Sequence, residues 1–178
     1  MKRRELLKRA GIGSAAIAAA PALGNVLATT ALADEDEKGQ TGFHFVCVAA
    51  ASQSEVLAMQ ADGRFNAKEA QGGGKFVHFH GSAVISGSWR ARKVRSFVDG
   101  PDFDPNGQFS SGNLKLDIQL RPIGFPRVDA LLEIQCNPPS NTTNTPPEGI
   151  TVTVPSLGLT FHPEEGVTIF TPRDGDRD

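Results

Sequence analysis

The chain has 178 residues, and its 18 basic and 20 acidic side chains leave a net charge of −2. Because residues 1–33 hold five of the basic residues and one acidic residue, the rest of the chain has a net charge of −6. This acidic balance excludes a general nucleic-acid-binding protein, which needs a basic surface. No apolar stretch after residue 33 approaches the length of a transmembrane helix. We therefore expect neither nucleic acid nor a membrane as a partner of that part.

The N-terminus is a basic segment followed by an uncharged stretch rich in alanine and glycine, residues 10–30. The basic segment places two arginines before two leucines and a lysine: Arg3, Arg4, Leu6, Leu7 and Lys8. This order resembles the twin-arginine (Tat) export signal. The uncharged stretch leads to Ala31 and Ala33, which form the small-x-small pattern that signal peptidase reads.

The resemblance implies that residues 1–33 are a signal peptide, with the Tat translocase and signal peptidase as partners during export. The mature protein would then be periplasmic, in the cell envelope or extracellular. One alternative is an uncleaved membrane anchor, since the uncharged stretch has about the 20 residues that a spanning helix needs. The other is ordinary secretion of the unfolded chain.

Behind an acidic linker, residues 34–41, the chain alternates between apolar and polar residues. Residues 43–50 are apolar on both faces, which predicts a central strand. Residues 55–61 predict a second strand or a short helix, because several of their residue types favour helices. Asp62-Gly63 is then expected to turn the chain, and Gly72-Gly73-Gly74 to form a flexible loop.

Residues 75–85 alternate well enough to predict one strand. Its apolar face holds Val77, Phe79, Ala83 and Ile85, and its polar face holds His78, His80 and Ser82. We expect the apolar face to be buried, which leaves the histidines toward solvent. Ser86-Gly87 then predicts a tight hairpin before a strand over residues 88–98.

The cleanest period of two lies in residues 114–120, with apolar residues at Leu114, Leu116, Ile118 and Leu120. A matching stripe follows a turn: Val128, Ala130, Leu132, Ile134 and Cys136. Shorter strands follow a proline-rich loop. Seven to nine strands without a long helix predict an all-β domain over residues 42–172, an antiparallel sandwich or barrel. Residues 173–178 are expected to fray.

Cys47 and Cys136 are the two cysteines of the chain, and both fall on predicted core faces. In an oxidising compartment such a pair forms a disulfide. We therefore predict a Cys47–Cys136 bond, with two buried free thiols as the alternative.

The spacing of Gly72, His78 and His80 resembles the opening of the first cupin motif, Gly-x5-His-x-His. The resemblance implies a transition metal held by His78 and His80, with His44 or His162 completing the ligand set. The glutamate that follows in the family is absent here. The alternative is two solvent-facing histidines, which the alternation of the strand favours.

The loop that contains Asp102, Asp104 and Asn106 resembles the first half of an EF-hand loop, with oxygen ligands at every second residue. The resemblance implies a bound Ca²⁺, although the bidentate glutamate of the family is missing. The alternative is an ordinary loop, because these residue types are common between strands.

Four basic residues surround Trp89 and are candidates for an anionic ligand: Arg90, Arg92, Lys93 and Arg95. On a regular strand they divide between two faces, so the alternative is a set of solvated positions on an outer strand.

Three hypotheses for the function follow. The first is a non-catalytic binding or structural module. The second is a metal-dependent, cupin-like enzyme that uses His78 and His80. The third is a barrel that carries a hydrophobic ligand. The chain has no Gly-x-Ser-x-Gly motif, so nothing points to a serine hydrolase.

Overall fold

The computed structural model describes residues 40–100, 109–137 and 147–171, and these form eight strands. In chain order the strands are β1 (Thr41–Ser52), β2 (Glu55–Phe65), β3 (Ala70–His80), β4 (Ala83–Asp99), β5 (Gly112–Pro122), β6 (Val128–Cys136), β7 (Gly149–Val154) and β8 (Leu159–Thr171).

Each strand pairs antiparallel with its neighbour in sequence, and β8 returns to pair with β1, so the sheet closes into a barrel. The all-β prediction is confirmed, and of the two architectures the barrel is the one observed. The part of the chain described here contains no helix long and apolar enough to cross a membrane. The residues of the calcium prediction, Asp102, Asp104 and Asn106, and the predicted signal peptide lie outside the described residues.

Alternate residues of the strands fill the barrel, as expected when eight strands leave an interior about one layer of side chains wide. The two stripes predicted on β5 and β6 point inward and are buried, apart from the half-buried Val128. Aromatic rings occupy much of the remaining interior. Phe45 stacks on Trp89 with 5.9 Å between ring centroids, and Phe65 meets Phe97 edge to face at 4.8 Å. The interior is therefore a packed apolar core.

The hairpin between β3 and β4 lies five residues before its predicted position. The turn is Gly81-Ser82, with His80 opposite Ala83, and Gly81 has a φ of 58° that favours glycine. Ser86-Gly87 lies inside β4, where Gly87 pairs with Phe76 on one side and Pro122 on the other. The prediction of one strand over residues 75–85 was therefore wrong.

Gly72-Gly73-Gly74 lies within β3, so the prediction of a flexible loop was wrong as well. Gly74 pairs with Trp89, and a Cβ at Gly74 would overlap the backbone carbonyl of Gln60. That same carbonyl accepts a hydrogen bond from the indole Nε1 of Trp89 at 3.0 Å. Glycine is required here because β2 and β3 approach closely. Asp62-Gly63, predicted as a turn, also continues a strand, β2.

Cys47 and Cys136 are both buried, but they are free thiols, so the predicted disulfide is not formed. Cys47 Sγ lies 3.6 Å from the carbonyl oxygen of Val167, and Cys136 Sγ lies 3.2 Å from that of Thr168. Successive carbonyls of a strand point to opposite sides, so the two thiols meet different edges of β8. Burial, assisted by the charge of Glu148, raises the pKa of Cys47 to about 12.

Candidate functional site

The histidine face of β3 points into the barrel. Phe76 is 3% exposed and belongs to the core, and His78 lies two residues further along the same face of the strand. Val77 and Phe79 take the opposite, outer face. The predicted orientation was therefore reversed. Phe76 fills the interior, and a shift of one residue in the buried set moves every side chain of a strand to the other face.

Glu55, the first residue of β2, joins the two histidines inside the barrel. It stands directly opposite His80 in the strand register and shares its face with Leu57 and Met59, which are core residues. His78 Nε2 lies 2.7 Å from Glu55 Oε2, and His80 Nδ1 contacts Glu55 Oε1. We call Glu55, His78 and His80 the Glu55 cluster. Each oxygen of the Glu55 carboxylate thus accepts a hydrogen bond from one imidazole.

The Glu55 cluster runs from the interior to the open end of the barrel. The side chains of Glu55 and His78 are 14% and 15% exposed, whereas that of His80 is 66% exposed. The His78 ring also meets Phe161 edge to face, with 5.3 Å between ring centroids. Because Phe161 is buried and His80 reaches solvent, the cluster connects the apolar core with the surface.

Electrostatics keep Glu55 in its charged form. Partial burial raises the pKa of Glu55, but the hydrogen bonds from His78 and His80 and the charge of those rings outweigh burial, so the pKa lies below its ordinary value. When the ring is neutral, an imidazole that donates through one nitrogen keeps a lone pair on the other. The nitrogens left to face a ligand are then His78 Nδ1 and His80 Nε2.

The other two candidate histidines do not join this cluster. His44 lies on the outer face of β1, where its Nδ1 is 2.8 Å from Asp62 Oδ1. His162 is exposed on the outer face of β8, opposite Ala50. Within the described ranges, no group of three or more His, Cys, Asp or Glu side chains has a geometry suited to a metal ion. Neither His44 nor His162 therefore completes the predicted ligand set.

Sequence reasoning missed Glu55. The residue begins an apolar run, Glu55-Val-Leu-Ala-Met, and lies two and four residues before the core residues Leu57 and Met59. An acidic residue in phase with a buried stripe was the signal that could have identified it. The signal was weak because residues 55–61 also suited a helix, in which a different set of positions shares a face with Glu55.

A second polar feature lies on the outside of β4, where two bulges interrupt the alternation. The register with β5 shifts between Ala91 and Lys93 and again between Val94 and Ser96. As a result the buried positions are Trp89, Ala91 and Val94, and all four basic residues face outward: Arg90, Arg92, Lys93 and Arg95. The predicted division of these residues between two faces was therefore wrong.

Comparison of the chain with models of known protein families, with curated proteins and with solved structures finds no match in any of the three. The chemistry of the chain's own residues is therefore the basis for assigning a function. Two features carry that chemistry, the Glu55 cluster inside one end of the barrel and the basic residues outside β4.

Proposed function

We propose that this protein is a small binding module whose ligand enters the end of the barrel at the Glu55 cluster. The observation that carries the proposal is a mostly buried carboxylate and imidazole at the end of a largely apolar interior, joined to a second imidazole that reaches solvent. Ionisable side chains are rare in an apolar interior, and ligand sites of β-barrels commonly lie at the mouth. An inward-facing polar cluster beside an apolar wall is therefore the best candidate for a site.

The packing of the interior supports a site at the mouth. The ring of Phe45 stacked on Trp89, together with the buried Phe65 and Phe170, occupies the interior that a carrier with a central cavity would leave open. At the mouth, by contrast, His80 is mostly exposed. A ligand that stops at the Glu55 cluster displaces no core side chain.

The chemistry of the cluster favours a ligand with a cationic or hydroxyl donor on an apolar body. Glu55 supplies a negative charge, and the free ring nitrogens of His78 and His80 accept hydrogen bonds when the rings are neutral. Phe161 lies against His78 and offers an aromatic surface to the apolar part. An ammonium group next to an aromatic ring satisfies all of these contacts.

A metal-dependent enzyme is the second candidate, and one observation favours it. Histidines that bind a metal usually donate their other ring nitrogen to a carboxylate, which is the arrangement that Glu55 makes with His78 and His80. The cluster supplies two imidazole ligands, so water or substrate would complete the coordination of a metal such as Zn²⁺.

The experiment is a titration of the full chain with benzylamine, which carries an ammonium group on an aromatic ring, followed through the histidine ring signals in NMR spectra. We expect the signals of His78 and His80 to shift and those of His44 and His162 to stay. Benzoate, of similar shape and opposite charge, should shift none of them. If benzylamine leaves the His78 and His80 signals unchanged, the proposed binding chemistry is wrong.

Two variants test whether the Glu55 carboxylate is the group that binds benzylamine. Glu55→Gln should weaken benzylamine binding roughly tenfold or more, because a hydrogen bond to a charged group contributes about 1.5–3 kcal/mol. The matched control is Asp62→Asn, which removes the carboxylate beside the outer-face His44 and should leave binding unchanged.

Zn²⁺ is tested in a separate titration. Tight binding that shifts the signals of both His78 and His80, without any effect of benzylamine, would favour the metal-dependent enzyme.

The pattern at Arg3 and Arg4 supports the further proposal that this module is exported. In that setting the ligand is one that meets the protein outside the cytoplasm.

A further inference from the structure

The turn between β5 and β6 presents two large apolar side chains to solvent. Ile123 is 75% exposed and Phe125 is 60% exposed, and Pro122 and Pro126 flank them. Leu157, in the connection between β7 and β8 at the same end of the barrel, is 60% exposed. We call Ile123, Phe125 and Leu157 the apolar rim. Exposed large apolar side chains that share one end of a fold are candidates for an interaction surface.

Two arginines flank this turn, and two more lie further along the neighbouring strand β4. Arg121 precedes the turn, Arg127 follows it, and Arg90 on β4 pairs with Gln119, two residues before Arg121 on β5. Arg92 extends the group along β4, where the first bulge turns it outward. We call Arg90, Arg92, Arg121 and Arg127 the arginine cluster. Partial burial and the charges of Arg127, Arg90 and Arg92 together lower the pKa of the Arg121 guanidinium.

The arginine cluster lacks carboxylate partners within the part of the chain that the structure describes. Its neighbours are paired: Arg95 Nε lies 2.7 Å from Asp117 Oδ1, and Lys115 Nζ lies 3.2 Å from Glu133 Oε2. Among the described residues, Arg121 donates to the side-chain oxygen of Gln119 at 3.4 Å, and its buried Nε has no acceptor there. Asp129 lies nearby and contacts Gln119, but no carboxylate in the described ranges forms an ion pair with these four arginines, so an anionic partner would reduce their mutual repulsion.

The combination of features points to one kind of partner. Guanidinium groups bind phosphate through two parallel hydrogen bonds, and exposed apolar side chains bracketed by basic residues favour the boundary between lipid headgroups and acyl chains. We propose that this end of the barrel docks onto an anionic lipid surface. Ile123 and Phe125 insert at the headgroup level, and the arginine cluster binds the phosphates.

This proposal revises the sequence-based expectation that a membrane is not a partner. That expectation rested on the absence of a spanning segment after residue 33. Peripheral docking needs neither a positive net charge nor a span, because it depends on the local surface within about one Debye length of the lipid, near 8 Å at physiological salt.

The first test is co-sedimentation of the full chain with vesicles of phosphatidylcholine alone and of equal parts phosphatidylcholine and phosphatidylglycerol. We expect binding to the anionic vesicles that falls about 30-fold in the double variant Arg121→Gln/Arg127→Gln, since each surface arginine is worth about fivefold in affinity. The double variant Ile123→Ser/Phe125→Ser should lose about tenfold or more.

Matched controls separate the rim from other surfaces. Arg95→Gln removes a basic residue that already has an ion pair, and Val98→Ser removes an apolar side chain that is 64% exposed at the other end of the barrel. Both should leave binding unchanged. Every variant keeps the same basic N-terminal segment, so its contribution to vesicle binding is constant throughout.

The second test measures insertion directly. Phe125→Trp and, as the control, Val98→Trp are bound to anionic vesicles whose acyl chains carry bromine, which quenches indole fluorescence on contact. We expect quenching of the tryptophan at position 125 and none at position 98. Equal quenching at both positions, or none at position 125 in bound protein, overturns the proposal.

Two further outcomes also overturn it. One is no difference between neutral and anionic vesicles. The other is binding of inorganic phosphate at the arginine cluster without any binding to vesicles, which would assign the cluster to a soluble anion. The apolar rim would then have no part in binding.

Discussion

Glu55 joins two histidines that the sequence already paired, and it determines what they can do. The spacing of His78 and His80 was sufficient to predict that they lie together on one face of a strand. It was insufficient to predict which face is inside, because Phe76 and Phe79 are equally apolar and lie on opposite faces. The partner carboxylate comes from 23 residues earlier in the chain. Only the pairing of β2 with β3 brings it there.

The depressed pKa of Glu55 makes its contribution to stability dependent on pH. A carboxyl group whose folded pKa is lowered stabilises the fold above its unfolded pKa, and that contribution disappears as the pH falls through the folded value. We therefore expect Glu55→Gln to lower the melting temperature at neutral pH, with a difference from wild type that shrinks below about pH 4.

Melting curves recorded by circular dichroism across this pH range provide the measurement. Asp62→Asn is the control, because Asp62 also lies beside a histidine but is 83% exposed. A constant difference between Glu55→Gln and wild type at every pH would show that the carboxylate is not selectively stabilised in the folded protein.

At the scale of elements, the stripes on β5 and β6 were predicted correctly because their alternation is unbroken. The errors fell where glycine or a bulge carries a strand past a position that resembles a turn. Gly72-Gly73-Gly74 and Ser86-Gly87 have the composition of loops, yet they lie inside β3 and β4. The bulges in β4 add residues that the pairing strand does not match, so a strict period of two fails there. Only the pairing partner reveals such a feature.

A substitution at Gly74 tests whether β2 and β3 approach as closely as the structure shows. An alanine would place its Cβ against the Gln60 carbonyl, in a position where backbone rather than a flexible side chain must move. We expect Gly74→Ala to lower the free energy of unfolding by about 1–3 kcal/mol, the usual cost of overpacking. Urea denaturation of the purified protein measures it.

Gly124→Ala is the matched control for Gly74→Ala. Gly124 has open space around it and a φ of 82°, so an alanine there meets no atom and costs only the strain of the left-handed backbone, about 1 kcal/mol. A smaller loss for Gly74→Ala than for Gly124→Ala would contradict the close approach of β2 and β3.

At the scale of the whole molecule, composition and strand spacing were enough to predict an all-β domain, but closure depends on the pairing of the first strand with the last. Val46 lies opposite Val167, far apart in sequence, and no local pattern encodes that contact. The antiparallel order places the Glu55 cluster and the apolar rim at the same end of the barrel. A module docked by its rim would therefore turn its ligand-binding mouth toward the lipid surface.

The inward orientation of the Glu55 cluster is the central claim, and nuclear Overhauser contacts between side chains test it most directly. The account predicts contacts from the His78 ring to the Phe161 ring, whose centroids are 5.3 Å apart, and from His78 to Ile85, its partner on β4. Contacts from Val77 or Phe79 to Phe161, with none from His78, would place the histidines on the outer surface and contradict the account.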